Sequence, residues 1–185
     1  MGLKGKIKKL FAQKEYMPIF HPVSTSKEFE EKVVLISGGS GGIGLAIAKS
    51  LQEAGAVVVI AGTNENKLNK MNEETNLETI VMNYSKPETF KSVIEKVTTK
   101  YGKIDIFISS AGVHTENVDF WTMNQKEYNR VMDINLKGVF FACQAVGKYM
   151  VDNNIKGSIL LISSSRGSEP AWSPYGISKW GLKQR

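Results

Sequence analysis

A chain of 185 residues, 42% hydrophobic and 23% charged, is long enough to bury one sizeable core, so a single domain is expected. No apolar run reaches membrane-spanning length, and with Cys143 as the only cysteine no internal disulfide can form, which fits a reducing, cytoplasmic compartment. The net charge of +6 sits mostly at the amino end: Lys4, Lys6, Lys8, Lys9 and Lys14 come before any acid, leaving the rest nearly neutral and without the basic face that nucleic acid would need.

In that basic arm, Leu3, Ile7, Leu10 and Phe11 fall at helical spacing. Two readings stay open. A basic amphipathic helix can rest on an anionic membrane surface, while the plainer reading is a solvated or loosely docked extension. The arm lacks the apolar core and small-residue cleavage site of a secretory signal. Pro18 and His21-Pro22 suggest an extended linker into the domain. Residues 1–31 are therefore read as a basic extension and residues 32–185 as the domain.

From Lys32 onward, strand-like and helix-like segments alternate. Val33 to Ser37 reads as a strand, Ile43 to Ala54 as a helix stopped by Gly55, and Val57 to Ala61 as a second strand. Asn64 to Asn72 is a short helix, Leu77 to Met82 a third strand, and Pro87 opens a helix running to Tyr101. Ile104 to Ser109 is a fourth strand, Gln125 to Asp152 one long helix, Gly157 to Ser163 a fifth strand, and a last helix starts near Tyr175. Apolar strands alternating with helices indicate an α/β fold. The expectation is a Rossmann-type doubly wound parallel sheet in three α/β/α layers. Its ligand crevice should lie beyond the carboxyl ends of the strands, where the winding reverses.

After the first strand, Gly38, Gly42 and Gly44 form G-x-x-x-G-x-G, with Ser40 and Ile43 between them. Glycine permits a tight turn and close approach of backbone to phosphate, and the following helix offers free N–H groups and its positive dipole end. A dinucleotide pyrophosphate suits this turn. An acid at the end of the second strand would hydrogen-bond a ribose 2′-hydroxyl and repel a 2′-phosphate. Here Gly62-Thr63-Asn64 precedes the first acid, Glu65, which tilts the choice from NAD towards NADP. Thr63 and Asn64 can donate hydrogen bonds to the phosphate, and Asn64 can also cap the next helix.

Tyr175 and Lys179 stand four residues apart, on one face of a helix. An ammonium beside a phenol favours the phenolate, which suits proton exchange. With the glycine turn, Ala111-Gly112 after the fourth strand, Asn135 in the long helix and the serines after Ile162, the chain resembles the short-chain dehydrogenase/reductase family from Lys32 to its end. The resemblance implies an NAD(P)-dependent oxidoreductase that reduces a carbonyl or oxidises a secondary alcohol. Tyr175 would be general acid and base, Lys179 would stabilise the phenolate and hold the nicotinamide ribose, and Asn135 would position a water behind Lys179. Ser164, with Gly167 three residues on, is the serine that would hold the substrate oxygen; Ser163 and Ser165 are the alternatives, pointed to the opposite face by strand alternation.

Three departures from the family pattern stand out. Its Asn-Asn-Ala-Gly appears as Ser109-Ser110-Ala111-Gly112, Asn83 replaces a frequent aspartate near the adenine, and the Gly167–Tyr175 stretch is slightly short. His114, Phe120 and Trp121 are candidates to border a substrate cleft, with Pro170, Trp172 and Pro174 as an apolar wall. No spacing suits a catalytic metal. Family members continue well beyond the position of Arg185, through a substrate-covering segment. The expectation is therefore the amino-terminal part of a longer enzyme, forming homo-oligomers through the long helix and the Tyr175 helix when complete. The alternative is a truncated or non-catalytic nucleotide-binding or scaffold protein.

Overall fold

The computed structural model describes residues 29–183. Five parallel strands, β1 (Val33–Ser37), β2 (Val57–Gly62), β3 (Glu78–Val81), β4 (Ile106–Ser109) and β5 (Ser158–Leu161), form one sheet in the order β3-β2-β1-β4-β5. In register, Leu35 stands beside Val59 on one side and Phe107 on the other. The chain winds from β1 outward through β2 and β3, then crosses back to β4 and β5. The reversal falls between β1 and β4, and that is where a crevice opens past the carboxyl ends.

The helices are α1 (Gly42–Glu53), α2 (Glu65–Thr75), α3 (Phe90–Tyr101), α4 (Gln125–Met132), α5 (Val139–Asp152) and α6 (Pro174–Gly181). Strand alternation divides the core between the two faces. Val34, Ile36, Val58 and Ile60 meet Ala48 of α1 and Leu68 of α2, whereas Leu35, Val59 and Phe107 meet Val93, Val97, Ala142 and Val146 of α3 and α5. All five residues of β1 are buried, which explains its unbroken apolar run. The three-layer Rossmann-type expectation therefore holds.

The long helix expected over residues 125–152 is interrupted. Asp133–Gly138 winds as a wider π segment between α4 and α5. Gly138 shows one reason: a Cβ there would come within 2.6 Å of Tyr84 Cβ and O, so the helix lies directly against the β3–α3 connection. The helix from Pro87 opens as a 3-10 turn over Pro87–Thr89, and the fifth strand is shorter than its apolar run. Cys143 is half-buried beside the core, and burial pushes its thiol up, away from reactive thiolate.

The lysine-rich arm, with its amphipathic spacing, lies outside the described residues. Phe29 already belongs to the domain: its N–H donates to Ala54 O at 3.3 Å and its ring packs on the α1–α2 face. Among the described residues, no helix is long and apolar enough to cross a membrane.

Candidate active site

The turn after β1 is built from backbone. Gly38 sits at φ +70°, and a Cβ there would lie 2.6 Å from Ala111 N, on the segment that follows β4. A Cβ on Gly44 would meet Gly38 O at 2.5 Å. Both positions demand glycine, one for conformation and contact, the other for contact alone. Gly42 differs: a Cβ there would meet nothing within 4 Å, so its surface is open. The start of α1 also differs from those of α2, α4 and α6. Asn64, Asn124 and Ser173 cap those helices, whereas Gly41 gives α1 no side-chain cap and no acid lies in its first turn. Open backbone amides at a positive helix end are what an anionic phosphate needs.

Two adjoining cavities follow the carboxyl edge of β1, β2 and β4. One, of about 200 Å³, is lined by Gly38, Ser40, Thr63, Asn83, Ala111 and Gly112, with Ser37, Tyr84 and Ile134 among its other walls. The second, of about 440 Å³, joins Gly38, Gly42, Ile43, Gly44 and Gly112 to His114, Ser163, Tyr175 and Lys179. Gly38 and Gly112 belong to both. Asn64 lines neither; its side chain accepts from Lys67 N at 2.9 Å as the cap of α2. Asn83 turns its own Oδ1 to Ser85 N at 2.9 Å while lining the first cavity.

Around Tyr175, side chains rather than backbone define the site. Lys179 follows one turn later on α6, and its Nζ lies 5.9 Å from the phenol ring centre. Lys179 is 5% exposed and donates to Ile162 O at 3.1 Å, which uses one of its three protons. Burial lowers its ammonium below the ordinary lysine range. Asn135 is fully buried in the π segment. Its Oδ1 accepts from Val113 N and its Nδ2 donates to Val113 O, each at 2.8 Å, with Ser178 Oγ at 3.3 Å. One amide thus ties the loop after β4 to α6, beside Gly112, whose added Cβ would lie 3.3 Å from Lys179 Nζ.

The serines divide their work. Ser163 lines the Tyr175 cavity, but its hydroxyl donates to Lys179 O at 2.9 Å. Ser164 lines neither cavity; it caps the 3-10 turn Ser165–Ser168 by accepting from Arg166 N at 3.3 Å, which leaves its own proton free. Ser165 begins that turn and is exposed.

His114 was a cleft candidate, and its ring stacks on Tyr175 with centres 3.9 Å apart and planes at 24°. Its carbonyl is held by Arg130 Nη2 at 2.6 Å, and Arg130 forks onto Glu127 at 2.7 and 2.8 Å. That guanidinium holds the Glu127 carboxyl down to about 2. Phe120 and Trp121 are exposed and line neither cavity, and Pro174 is buried at the start of α6.

One constellation was not visible in the sequence. The Tyr84 phenol is buried and bonded to Ser37 Oγ at 2.5 Å and Ser109 Oγ at 2.8 Å. It bridges the carboxyl ends of β1 and β4 beneath the first cavity. Burial pushes its ionisation up to about 12. The signal was the replacement of a first asparagine by Ser109: a smaller side chain leaves room, and a nearby large residue fills it.

A family model for short chain dehydrogenase matches residues 32–184. With that match over most of its length, the chain belongs to the short-chain dehydrogenase family. The 3-oxoacyl-(acyl-carrier-protein) reductase FabG of Thermotoga maritima is 33% identical over 160 residues, covering 83% of this chain and 64% of that protein. The chain thus spans less than two thirds of that curated relative. Among solved structures, an NAD+-bound xylitol dehydrogenase superposes with a TM-score of 0.76 at 28% identity, over 84% of this chain and 62% of that one. A short chain dehydrogenase from Shigella flexneri 2a, complexed with NADP, gives 0.73 at 25% identity, over 83% and 68%.

Proposed function

We propose that this protein is an NAD(P)-dependent oxidoreductase that reduces a carbonyl or oxidises a secondary alcohol, with Tyr175 as general acid and base. The observation that carries the reading is that one cavity brings the open glycine turn together with Tyr175 and Lys179. Similarity to NAD- and NADP-bound members of the family supports a nicotinamide cofactor.

When bound, the nicotinamide supplies or takes up the hydride. The chain does the rest. Gly38, Gly42, Ile43 and Gly44, with the uncapped amides of α1, would hold the pyrophosphate. Ser40 and Thr63 would face the adenosine ribose, with Asn83, Ala111 and Gly112 along the floor; Asn64, next in the chain to Thr63, would stay the cap of α2. The lining holds no carboxylate to repel a 2′-phosphate, which supports NADP over NAD. Tyr175 would give its proton to the substrate oxygen as the carbonyl carbon is reduced, and recover it in the reverse direction. Lys179 would keep positive charge beside the phenol and donate to the nicotinamide ribose. Ser164, next to the cavity-lining Ser163, would hold the substrate oxygen, because its proton is free where that of Ser163 is committed to Lys179 O. Asn135 would fix the loop and α6 around Lys179, and so any water that relays protons behind it.

Exposed Tyr128 and Phe140 on α4 and α5, with Ile177 and Trp180 on α6, support the homo-oligomer interface expected of those helices. Cys143, the single cysteine of the sequence, can form no internal disulfide, which fits a reducing, cytoplasmic setting.

The test is NADPH and NADH oxidation with a panel of small carbonyl compounds, run on the protein and on Tyr175→Phe. Turnover lost in the variant with cofactor binding kept is the expected result. Equal turnover in both would refute the role of Tyr175, and cofactor binding without any turnover would leave a non-catalytic nucleotide-binding protein.

A further inference from the structure

The His114–Tyr175 stack borders a third cavity besides the glycine-turn cavity. It measures about 250 Å³ and is lined by His114, Thr115, Arg166, Trp172, Ser173 and Tyr175 among others. Ligand pockets for larger organic molecules run to roughly 300–1,000 Å³, so this one suits a compact molecule. No carboxylate lines it. Its positive charge comes from Arg166, with the buried Lys179 in the adjoining cavity. Arg166 holds Glu169 through Nη1 at 3.0 Å, but the two side chains are 68% and 52% exposed. A surface pair of that kind holds weakly, so an incoming anion can displace the carboxylate.

The rest of the cavity is set in advance. His114 covers one face of the Tyr175 ring, so a ligand must reach the phenol from outside that face. The backbone that carries the ring is held from behind, the His114 carbonyl by Arg130 and Arg130 by Glu127, so the segment is positioned before a ligand arrives. The Ser173 hydroxyl accepts from Gly176 N at 3.3 Å as the cap of α6 and keeps its own proton to donate.

Resting on the oxidoreductase reading above, we propose that this cavity takes a compact carbonyl compound carrying an anionic group. Arg166 holds the anion, and the His114–Tyr175 stack sets the phenol against the carbonyl. Arg166 is thereby a specificity-determining residue. The guanidinium fork suits a carboxylate or a phosphate, and a carboxylate is the simpler probe.

The experiment compares acetoacetate with acetoacetamide, which match in size and differ by one negative charge, on the full chain and on Arg166→Gln. A contact at a guanidinium this exposed corresponds to about two- to fivefold in preference, so wild-type kcat/KM should favour the acid by about that factor. In Arg166→Gln the ratio should collapse towards one. An unchanged ratio in the variant, or a wild-type preference for the amide, would overturn the assignment. Saturation-transfer NMR on the same pair separates it from the oxidoreductase reading. Arg166-dependent acetoacetate binding with no NADPH or NADH oxidation keeps the anion site and removes hydride transfer. Cofactor oxidation with neutral carbonyls alone, insensitive to Arg166, keeps hydride transfer and removes the anion site. Absence of both binding and turnover of acetoacetate removes the anion site outright.

Discussion

The glycine turn after β1 and the surroundings of Tyr175 share one cavity, yet they are made of different material. The turn is backbone packed on backbone: Gly38 against Ala111, Gly44 against the Gly38 carbonyl. The Tyr175 site is set by side chains, with His114 stacked on the phenol and Asn135 joining the Val113 backbone to Ser178 of α6. The first region breaks when atoms are added and the second when they are removed. A phosphate site needs donors in a fixed concave array, which backbone amides already provide. Proton transfer needs a particular titratable group with a particular neighbour, which only side chains supply.

Removing one oxygen should give the largest effect. Tyr175→Phe is expected to lower kcat by about 10²–10⁴-fold while leaving cofactor affinity and urea stability close to wild type. Steady-state kinetics beside a cofactor titration checks both halves. A matching loss of affinity would mean that the two regions are not separable.

Adding one methyl group is the complementary test. Gly44→Ala forces a Cβ to within 2.5 Å of the Gly38 carbonyl, a backbone atom that cannot swing aside. Overpacking of this kind costs about 1–3 kcal/mol, read from urea unfolding, and cofactor affinity should fall with it.

The Tyr84 bridge lies beneath the first cavity and ties the end of β1, which leads into the glycine turn, to the end of β4, which leads to His114. Tyr84→Phe strands the buried Ser37 and Ser109 hydroxyls and should destabilise the fold by about 1–3 kcal/mol. It should also change the response to alkali. An unfolded tyrosine loses its proton near 10, whereas Tyr84 keeps its proton up to about 12. Between those values the folded state binds more protons, so its stability falls as pH rises. Urea unfolding at about pH 9 and about pH 11 should show a smaller alkaline loss in Tyr84→Phe than in wild type. Equal losses would mean that the phenol is not held protonated by burial.

Gly42→Ala should give the smallest change in stability, because nothing lies within 4 Å of its Cβ. Alanine in place of glycine at the start of α1 is neutral or stabilising by up to about 1 kcal/mol. The same methyl group points into the space a phosphate would enter, so cofactor affinity should fall. Thermal melts and a cofactor titration of this variant separate a turn that binds from one that only folds.

The parts that the sequence made legible are local. Gly38, Gly42 and Gly44 lie within a single turn, and Tyr175 and Lys179 within one turn of helix. β1 announces its double burial by an unbroken apolar run. What escaped joins residues far apart in the chain: Tyr84 with Ser37 across 47 positions, Asn135 with Ser178 across 43. The π segment escaped for a related reason. Residues 125–152 carry helical periodicity throughout, and the widening comes with the contact of Gly138 on Tyr84, which no local pattern encodes. The serine run is an intermediate case. Its position was legible, but which hydroxyl keeps a free proton depends on Lys179 O and Arg166 N.

The most direct measurement is a fluorescence titration of the chain with NADPH and, separately, with NADH. Saturable binding, tighter for NADPH and weakened by Gly42→Ala, is the predicted result. Failure of both nucleotides to bind saturably would contradict the assignment of the β1–β4 crevice as a nicotinamide cofactor site.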